Sequence, residues 1–99
     1  MQQQMEYIYT IYRLGSIRQA AEQLCITQPA LSISLKRAEK ELGEQIFDRS
    51  KHPLEPTPAG QVYLNSILKI RQIEENMKAE IEDLASMNTG SLAIGGTQY

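Results

Sequence analysis

Basic side chains lie together on one side of the segment TQPALSISLKRAEKELG, residues 27–43. At 100° per residue, one face of a helix there carries Pro29, Ile33, Lys36, Arg37 and Lys40. Residues 27–38 contain two bases and no acid, although the whole chain of 99 residues has a formal charge of −2. Ammonium and guanidinium groups donate charge-assisted hydrogen bonds to phosphate oxygens. This face therefore has the chemistry to bind a polyanion.

The other side of the same segment is apolar and predicts the surface that packs on a core. Leu31, Leu35, Ala38 and Leu42 fall within about 60° of one another on a helical wheel. We expect this helix to run from about Gln28 to Leu42. Its boundaries are marked by an N-cap at Thr27, a proline in the first turn and Gly43 at the end.

Two further helices are predicted before this one. The first covers Met5 to Leu14 and stops at Gly15. The second covers Ile17 to Leu24, where SIRQ forms a capping box: Ser16 accepts from the amide of Gln19, and Gln19 reaches back. Only a tight connection separates it from Thr27. Two short helices, a tight turn and a helix with an apolar inner side form a helix-turn-helix pattern.

A wing and a long helix follow. Ile46, Phe47 and Leu54 flank the polar segment DRSKHP, which predicts two short strands joined by a tip at residues 50–53. Thr57 as N-cap and Pro58 at the first position then start a helix that stays periodic to about Ser86.

The long helix has an apolar seam that a domain of this size cannot cover. A heptad frame places Ile67 and Ile81 at a, with Tyr63, Ile70, Met77 and Leu84 at d, and Glu74 interrupts the a row. We expect a second copy of the chain to cover this seam. The final SLAIGGTQY predicts one strand with no sheet to join, which we interpret as the start of a further, missing domain.

The inventory of side chains argues against an enzyme. One histidine and one cysteine lie in separate elements, and no metal-ligand cluster, nucleophile elbow or phosphate loop is present. We expect no cofactor and no metal. A single cysteine, no signal peptide and no apolar stretch near 20 residues favour a cytoplasmic protein outside the membrane.

Several motifs occur together in one order. GSIRQAAEQLCITQPALSISLKRAEKELGEQIFDRS followed by PTPAG resembles the DNA-binding half of a LysR-type transcriptional regulator, over residues 5 to about 96. The resemblance implies a mostly α fold: a winged helix-turn-helix (1–57), a long dimerising linker helix (58–88) and the start of a truncated effector-binding domain (89–99). In that family the residue after the helix-3 serine is most often arginine, whereas here it is Ile33.

The resemblance implies sequence-specific binding of double-stranded DNA by a bacterial regulator, with the third helix in the major groove and the wing on the backbone or in the minor groove. We expect a homodimer, with a tetramer possible in the full-length protein. A small-molecule effector would act only through the missing domain. The predicted DNA-binding residues are Ser16, Arg18, Thr27, Gln28, Pro29, Ser32, Ile33, Lys36, Arg37, Arg49, Lys51 and His52.

Each role has a structural alternative. Ile33 either packs on a thymine methyl group or simply packs on the wing or stays exposed. Ser16 can cap a helix, bind a phosphate, or both. Arg49 either contacts the DNA backbone or bonds to the body of the domain. His52 alone is typical of a solvated tip. Cys25 is expected to be a buried small residue at the turn rather than a redox sensor.

A different class of function also fits the charge. Residues 1–57 hold seven bases and seven acids, so the predicted head has no net charge. The alternative is a coiled-coil protein-interaction module with a winged-helix head. A steep fall of duplex affinity with salt would separate DNA binding from this alternative.

Overall fold

A computed structural model describes residues 3–90 of the chain. It confirms a mostly α winged helix-turn-helix with a long C-terminal helix. The elements are α1 (Gln3–Leu14), α2 (Ile17–Leu24), α3 (Gln28–Leu42), β1 (Phe47–Asp48), β2 (Glu55–Pro56) and α4 (Pro58–Gly90). The final helix extends past the predicted end at about Ser86. The strand predicted from SLAIGGTQY lies outside the described residues.

The predicted caps start α2 and α3. The Gln19 amide donates to Ser16 Oγ at 3.1 Å, and the Ala30 amide donates to Thr27 Oγ1 at 3.2 Å. Each hydroxyl thereby satisfies one of the amides that a helix N-terminus leaves without an intrahelical partner. Cys25 ends α2 in the left-handed conformation, at φ 59°, and its amide donates to the carbonyl oxygens of Ala21 and Glu22. These caps fix the tight connection between the two helices.

The wing is a two-stranded antiparallel ladder in which Phe47 pairs with Pro56 and Asp48 with Glu55. The Leu54 amide donates to the Gly15 carbonyl at 2.9 Å, which ties the wing to the turn between α1 and α2. Gly15 has φ +68°, and a Cβ there would lie 2.5 Å from the Cβ of Pro53. Glycine is required here both for the backbone conformation and for the close approach of the wing.

The start of α4 is held against the strand side of the domain. The Thr57 amide donates to the Ile46 carbonyl at 2.9 Å, and Thr57 Oγ1 accepts from the Gly60 amide at 3.0 Å, as an N-cap does. A Cβ on Gly60 would lie 1.9 Å from the Ile46 carbonyl oxygen. Only glycine therefore lets the first turn of α4 pass this close to Ile46.

The chain divides into two compact units, Met1–Leu68 and Lys69–Tyr99. The first unit extends past the predicted domain boundary at residue 57, because Leu64 and Ile67 on α4 are buried in its core. That core consists of Ile8, Ile11, Ala20, Ala21, Leu31, Leu35, Ala38, Ile46, Phe47, Leu64 and Ile67. The described part of the second unit is the rest of α4.

Two side chains are placed differently from what the sequence predicted. Leu42 is 43% exposed, because the last turn of α3 extends beyond Ala38, the final buried residue of that helix. Ile67 was assigned to the seam facing a partner, yet its side chain is fully buried within the first unit. A side chain enclosed by its own domain has no surface left for a second chain.

Candidate nucleic-acid interface

The outward face of α3 is exposed, as its periodicity predicts. Gln28, Pro29, Lys36 and Arg37 are exposed, and Ser32 is half-buried on the flank. Ile33 is 58% exposed, so it is not packed into the domain. In residues 3–90, no ion pair is formed by Lys36, Arg37, Lys40 or Lys51. The charges of these side chains are therefore available to an external anion.

The two capping hydroxyls flank this face. Ser16 and Thr27 each accept one helix amide through the side chain. A hydroxyl has one donor and two acceptor lone pairs, so a capping serine or threonine still has its proton to donate. Structural capping and a hydrogen bond to a phosphate oxygen are compatible at both positions.

Arg18 has an acidic neighbour one turn along α2. Its Nη1 lies 3.0 Å from Glu22 Oε2, and both side chains are more than 60% exposed. Exposed pairs at this spacing contribute about 0.3–0.5 kcal/mol and are weakened by salt. The pair is therefore too weak to keep the guanidinium from a phosphate.

Arg49, on the wing, is bonded to the body of the domain. Its Nη2 lies 3.3 Å from Oε1 of Glu39, while Glu39 Oε2 accepts from the Ile46 amide at 2.9 Å. The Glu39 side chain is only 12% exposed, whereas that of Arg49 is 39% exposed. This bond is the structural alternative considered from the sequence, and it leaves part of the guanidinium facing solvent.

The tip of the wing is shaped by Asp48 and Ser50. Asp48 Oδ1 accepts from the Ser50 hydroxyl at 2.6 Å and from the Ser50 amide at 3.0 Å. These hydrogen bonds hold the pKa of Asp48 below its ordinary value, and the nearby Lys51 acts in the same direction. Lys51 and His52 follow this turn and are exposed.

A cleft of about 300 Å³ brings together side chains from three predicted parts of the site. It lies between the start of α2, the start of α3 and the wing, and it contains no acidic side chain. Its walls are formed by Gly15, Ser16, Ile17, Arg18, Gln28, Arg49, His52 and Leu54. The fold thus gathers residues that are up to 39 positions apart in the sequence, two arginines among them, around one hollow.

The long helix exposes an apolar stripe in the second unit. Ile73, Met77, Ile81 and Leu84, spaced four, four and three residues apart, are each more than half exposed. Ile70 is half-buried. Ile73, which is 65% exposed, falls at the g position of the heptad frame and was not among the predicted seam residues.

A second hollow, which is apolar, lies within the first unit, where α3 ends and α4 begins. It has a volume of about 440 Å³ and is lined by Leu42, Glu44, Ala59, Val62, Tyr63 and Ser66. Burial of the Tyr63 hydroxyl raises its pKa, and the Glu41 carboxylate adds to the effect. Tyr63 also packs against the core, so only part of it faces outward as predicted for a seam residue.

The expectation that Cys25 is buried is wrong. Its side chain is exposed, and its backbone adopts the left-handed conformation that closes α2. In the range 3–90, no three histidine, cysteine, aspartate or glutamate side chains are placed to hold a metal ion. No helix in that range is both long and apolar enough to cross a membrane.

Comparison with models of known protein families gives a match to the first part of the chain. The model of the bacterial regulatory helix-turn-helix protein, lysR family, matches residues 2–61, more than half of the chain. The chain is 36% identical over 95 residues to a probable RuBisCO transcriptional regulator of Cyanidioschyzon merolae, covering 96% of this chain and 31% of that protein. It is 37% identical over 97 residues to the HTH-type transcriptional regulator BsdA of Bacillus subtilis, covering 97% and 33%. The chain thus spans about a third of the length of these relatives.

Solved structures give the same fold. The chain superposes on the BenM DBD in a complex with benA site 1 DNA with a TM-score of 0.76 at 30% identity, covering 87% of this chain and 98% of that one. Full-length LysG from Corynebacterium glutamicum with bound effector Arg gives a TM-score of 0.75 at 26% identity, covering 83% and 28%.

Proposed function

The chain belongs to the lysR family of bacterial regulatory helix-turn-helix proteins, and from that premise we propose that it is the part of a transcription regulator that binds specific sequences of double-stranded DNA. It carries the family's helix-turn-helix DNA-binding domain. The proposed duplex lies across the outward face of α3, with that helix in the major groove. The wing lies on the backbone or in the minor groove.

One observation carries this proposal: the outward face of α3 presents exposed basic side chains, and the first part of the helix, up to Ala38, contains no acid. Residues 27–38 contain no acid, and Lys36, Arg37 and Lys40 have no ion pair within residues 3–90. A net charge of −2 argues against attraction of DNA by the whole chain. Local positive charge is enough, because interactions between exposed charges are screened within about 8 Å at physiological ionic strength.

We assign the DNA-binding residues to two roles. The readers of base edges are Gln28, Pro29, Ser32 and Ile33, in the first turns of α3, which enter the groove first. Gln28 can make a bidentate bond to adenine, and Ser32 can donate or accept. The anchors on phosphates are Ser16, Arg18, Thr27, Lys36, Arg37, Arg49, Lys51 and His52. Phosphate contacts fix orientation and carry no sequence information directly.

The proposed functional species is a homodimer formed through α4. The exposed stripe at Ile73, Met77, Ile81 and Leu84, with Ile70 beside it, supports this proposal. An apolar stripe this long on a solvated helix is stabilised by burial against a second apolar face. A dimer would present two copies of α3 to half-sites a helical turn, about 34 Å, or a multiple of it apart.

The rest of the organisation is also proposed. Residues 1–57 form the DNA-binding head, 58–88 the linker helix, and 89–99 the start of an effector-binding domain through which a small molecule would act. We place the regulator in the cytoplasm and expect no catalytic activity and no cofactor. A tetramer of the full-length regulator is compatible with this arrangement.

Selection of bound duplexes from a random pool tests the proposal. We expect enrichment of a site with two related half-sites in two-fold symmetric order, with centres one turn or a multiple apart. A pool that shows no enrichment over successive rounds, at low as well as physiological salt, contradicts sequence-specific binding. That outcome would favour the alternative of a protein-interaction module, which the zero net charge of residues 1–57 supports.

A further inference from the structure

The outward face of α3 changes character along its length. Lys36, Arg37 and Lys40 make its C-terminal half basic, whereas its N-terminal half presents Pro29 and, one turn later, Ile33. Ile33 is 58% exposed, although an isoleucine side chain is among those most often buried. Its side chain can neither donate nor accept a hydrogen bond. Whatever Ile33 recognises must therefore be apolar.

We propose that Ile33 reads the C5-methyl group of a pyrimidine in the major groove. The inference rests on the proposed function, since it requires α3 to lie in that groove. Thymine is the base that presents a methyl group there, while the other base edges present donors and acceptors. The same methyl group stands at the same ring position in 5-methylcytosine. Ile33 thus favours thymine over deoxyuridine and 5-methylcytosine over cytosine at one position in each half-site.

The charges around Ile33 favour DNA over an apolar protein surface as the occupant of this face. Lys36, Arg37 and Lys40 share the face and form no ion pair within residues 3–90, and an apolar partner would desolvate their charges without compensation. A duplex provides both environments at once, because phosphates line the rims of the groove and methyl groups lie on its floor. The basic side chains at the end of the face suit the phosphates, and the isoleucine near its start suits a methyl group.

The expected size of the effect follows from the area of one methyl group. Burying one CH₂-sized group stabilises by an amount that corresponds to about a four-fold change in affinity. A substitution in both half-sites of a dimer should multiply to about sixteen-fold if the two positions act independently.

The test uses the whole chain and a duplex enriched from a random pool. Each thymine is replaced in turn by deoxyuridine, which removes the methyl group and keeps every hydrogen-bonding atom. Affinity is measured by fluorescence anisotropy at one salt concentration for wild type, Ile33→Ala and Ile33→Val. Lys40→Ala is the matched control, because it alters the same face without changing an apolar contact. Cytosine and 5-methylcytosine are then compared at the most sensitive position.

For the wild type we expect one thymine per half-site at which deoxyuridine weakens binding about four-fold, and a similar gain when cytosine there is methylated. Ile33→Ala should reduce both ratios to below about 1.5-fold, and Ile33→Val should keep most of them. Lys40→Ala should leave both ratios unchanged, whatever its effect on overall affinity.

Wild-type affinity that is insensitive to deoxyuridine at every thymine overturns the proposal, and this arm does not depend on any variant folding. Ratios that stay the same in Ile33→Ala also overturn it, since another residue would then read the methyl group. In both cases, salt-dependent binding of the duplex would persist, so the proposed DNA-binding function would stand. Loss of binding to all duplexes by the wild type would instead defeat the function itself.

Discussion

Replacing Glu39 with alanine should destabilise the domain through the wing rather than through α3. Glu39 lies on α3, but both carboxylate oxygens point to the segment that leads into the wing. One accepts from the Ile46 amide at 2.9 Å, and the other lies 3.3 Å from Nη2 of Arg49. Ile46 is fully buried and the Glu39 side chain is only 12% exposed, so the amide that loses its acceptor has little access to water. The carboxylate therefore joins helix and wing across a sequence gap of seven to ten residues.

The two contacts of Glu39 contribute unequally to stability. A buried amide left without an acceptor costs about 1–3 kcal/mol. The ion pair contributes at most about 1 kcal/mol, because Arg49 is 39% exposed and its charge is screened by solvent. We expect Glu39→Ala to lower the free energy of unfolding by about 2 kcal/mol, which for a domain of this size lowers Tm by about 8–16 °C. Arg49→Ala should cost less than about 1 kcal/mol.

Thermal unfolding followed by circular dichroism measures these differences. All variants are compared at one protein concentration, because the proposed dimer would make Tm depend on concentration. Glu41→Ala is the matched control, since Glu41 is an exposed acid on the same helix and should change stability by less than about 0.5 kcal/mol. An equal loss in Arg49→Ala and Glu39→Ala would refute the reasoning, because it would assign the stability to the ion pair instead of the Ile46 amide.

Two further predictions concern the helix seam and the wing tip. Ile73→Asp and Ile70→Asp should yield monomers in sedimentation while keeping the fold. Ile67→Asp should instead unfold the first unit, because a charge buried without a partner costs several kcal/mol. An unshifted mass in Ile73→Asp would count against the seam. The Ser50 hydrogen bonds hold the pKa of Asp48 below 3.8, so the carboxylate binds a proton more readily in the unfolded chain than in the folded one. The contribution of these bonds to stability is therefore present above pH 3.8 and is lost as pH falls through the lower folded pKa. Ser50→Ala should raise the pKa of Asp48 in an NMR titration, and an unchanged pKa would show that the hydroxyl does not set it.

The helices and their caps could be predicted because their signals are local. Ser16 and Thr27 stand immediately before apolar stripes of helical period. Each hydroxyl accepts a hydrogen bond from the amide three residues later. The short wing also followed from its turn residues and prolines. Each of these features depends on residues within one or two turns of one another, which is the range over which a single sequence specifies geometry.

The seam could not be predicted in detail because it depends on what α4 packs against. Ile67 and Ile73 are both apolar residues on one long helix, but Ile67 is buried in the core of its own domain and Ile73 is 65% exposed. Periodicity identifies an apolar face without identifying its partner. A heptad frame also assumes that the helix pairs with a second helix from its first residue, whereas the start of α4 packs on its own domain.

Two features of the site were hidden for similar reasons. The bond between Arg49 and Glu39 joins residues ten positions apart on different elements, so no helical or strand spacing signals it. Cys25 is exposed, and its backbone adopts φ 59° to end α2, a conformation that non-glycine residues seldom adopt. The preference of cysteine for protein interiors gave the wrong expectation here.

The central claim is that the exposed lysine and arginine side chains of α3 bind DNA phosphates. The salt dependence of affinity tests this claim most directly. Affinity for one enriched duplex is measured over a range of salt concentrations for wild type, Lys36→Ala and Lys78→Ala, the last being an exposed lysine far along α4. We predict that the slope of log affinity against log salt becomes shallower by about one unit per binding chain in Lys36→Ala and is unchanged in Lys78→Ala. Identical slopes for all three proteins would contradict the account.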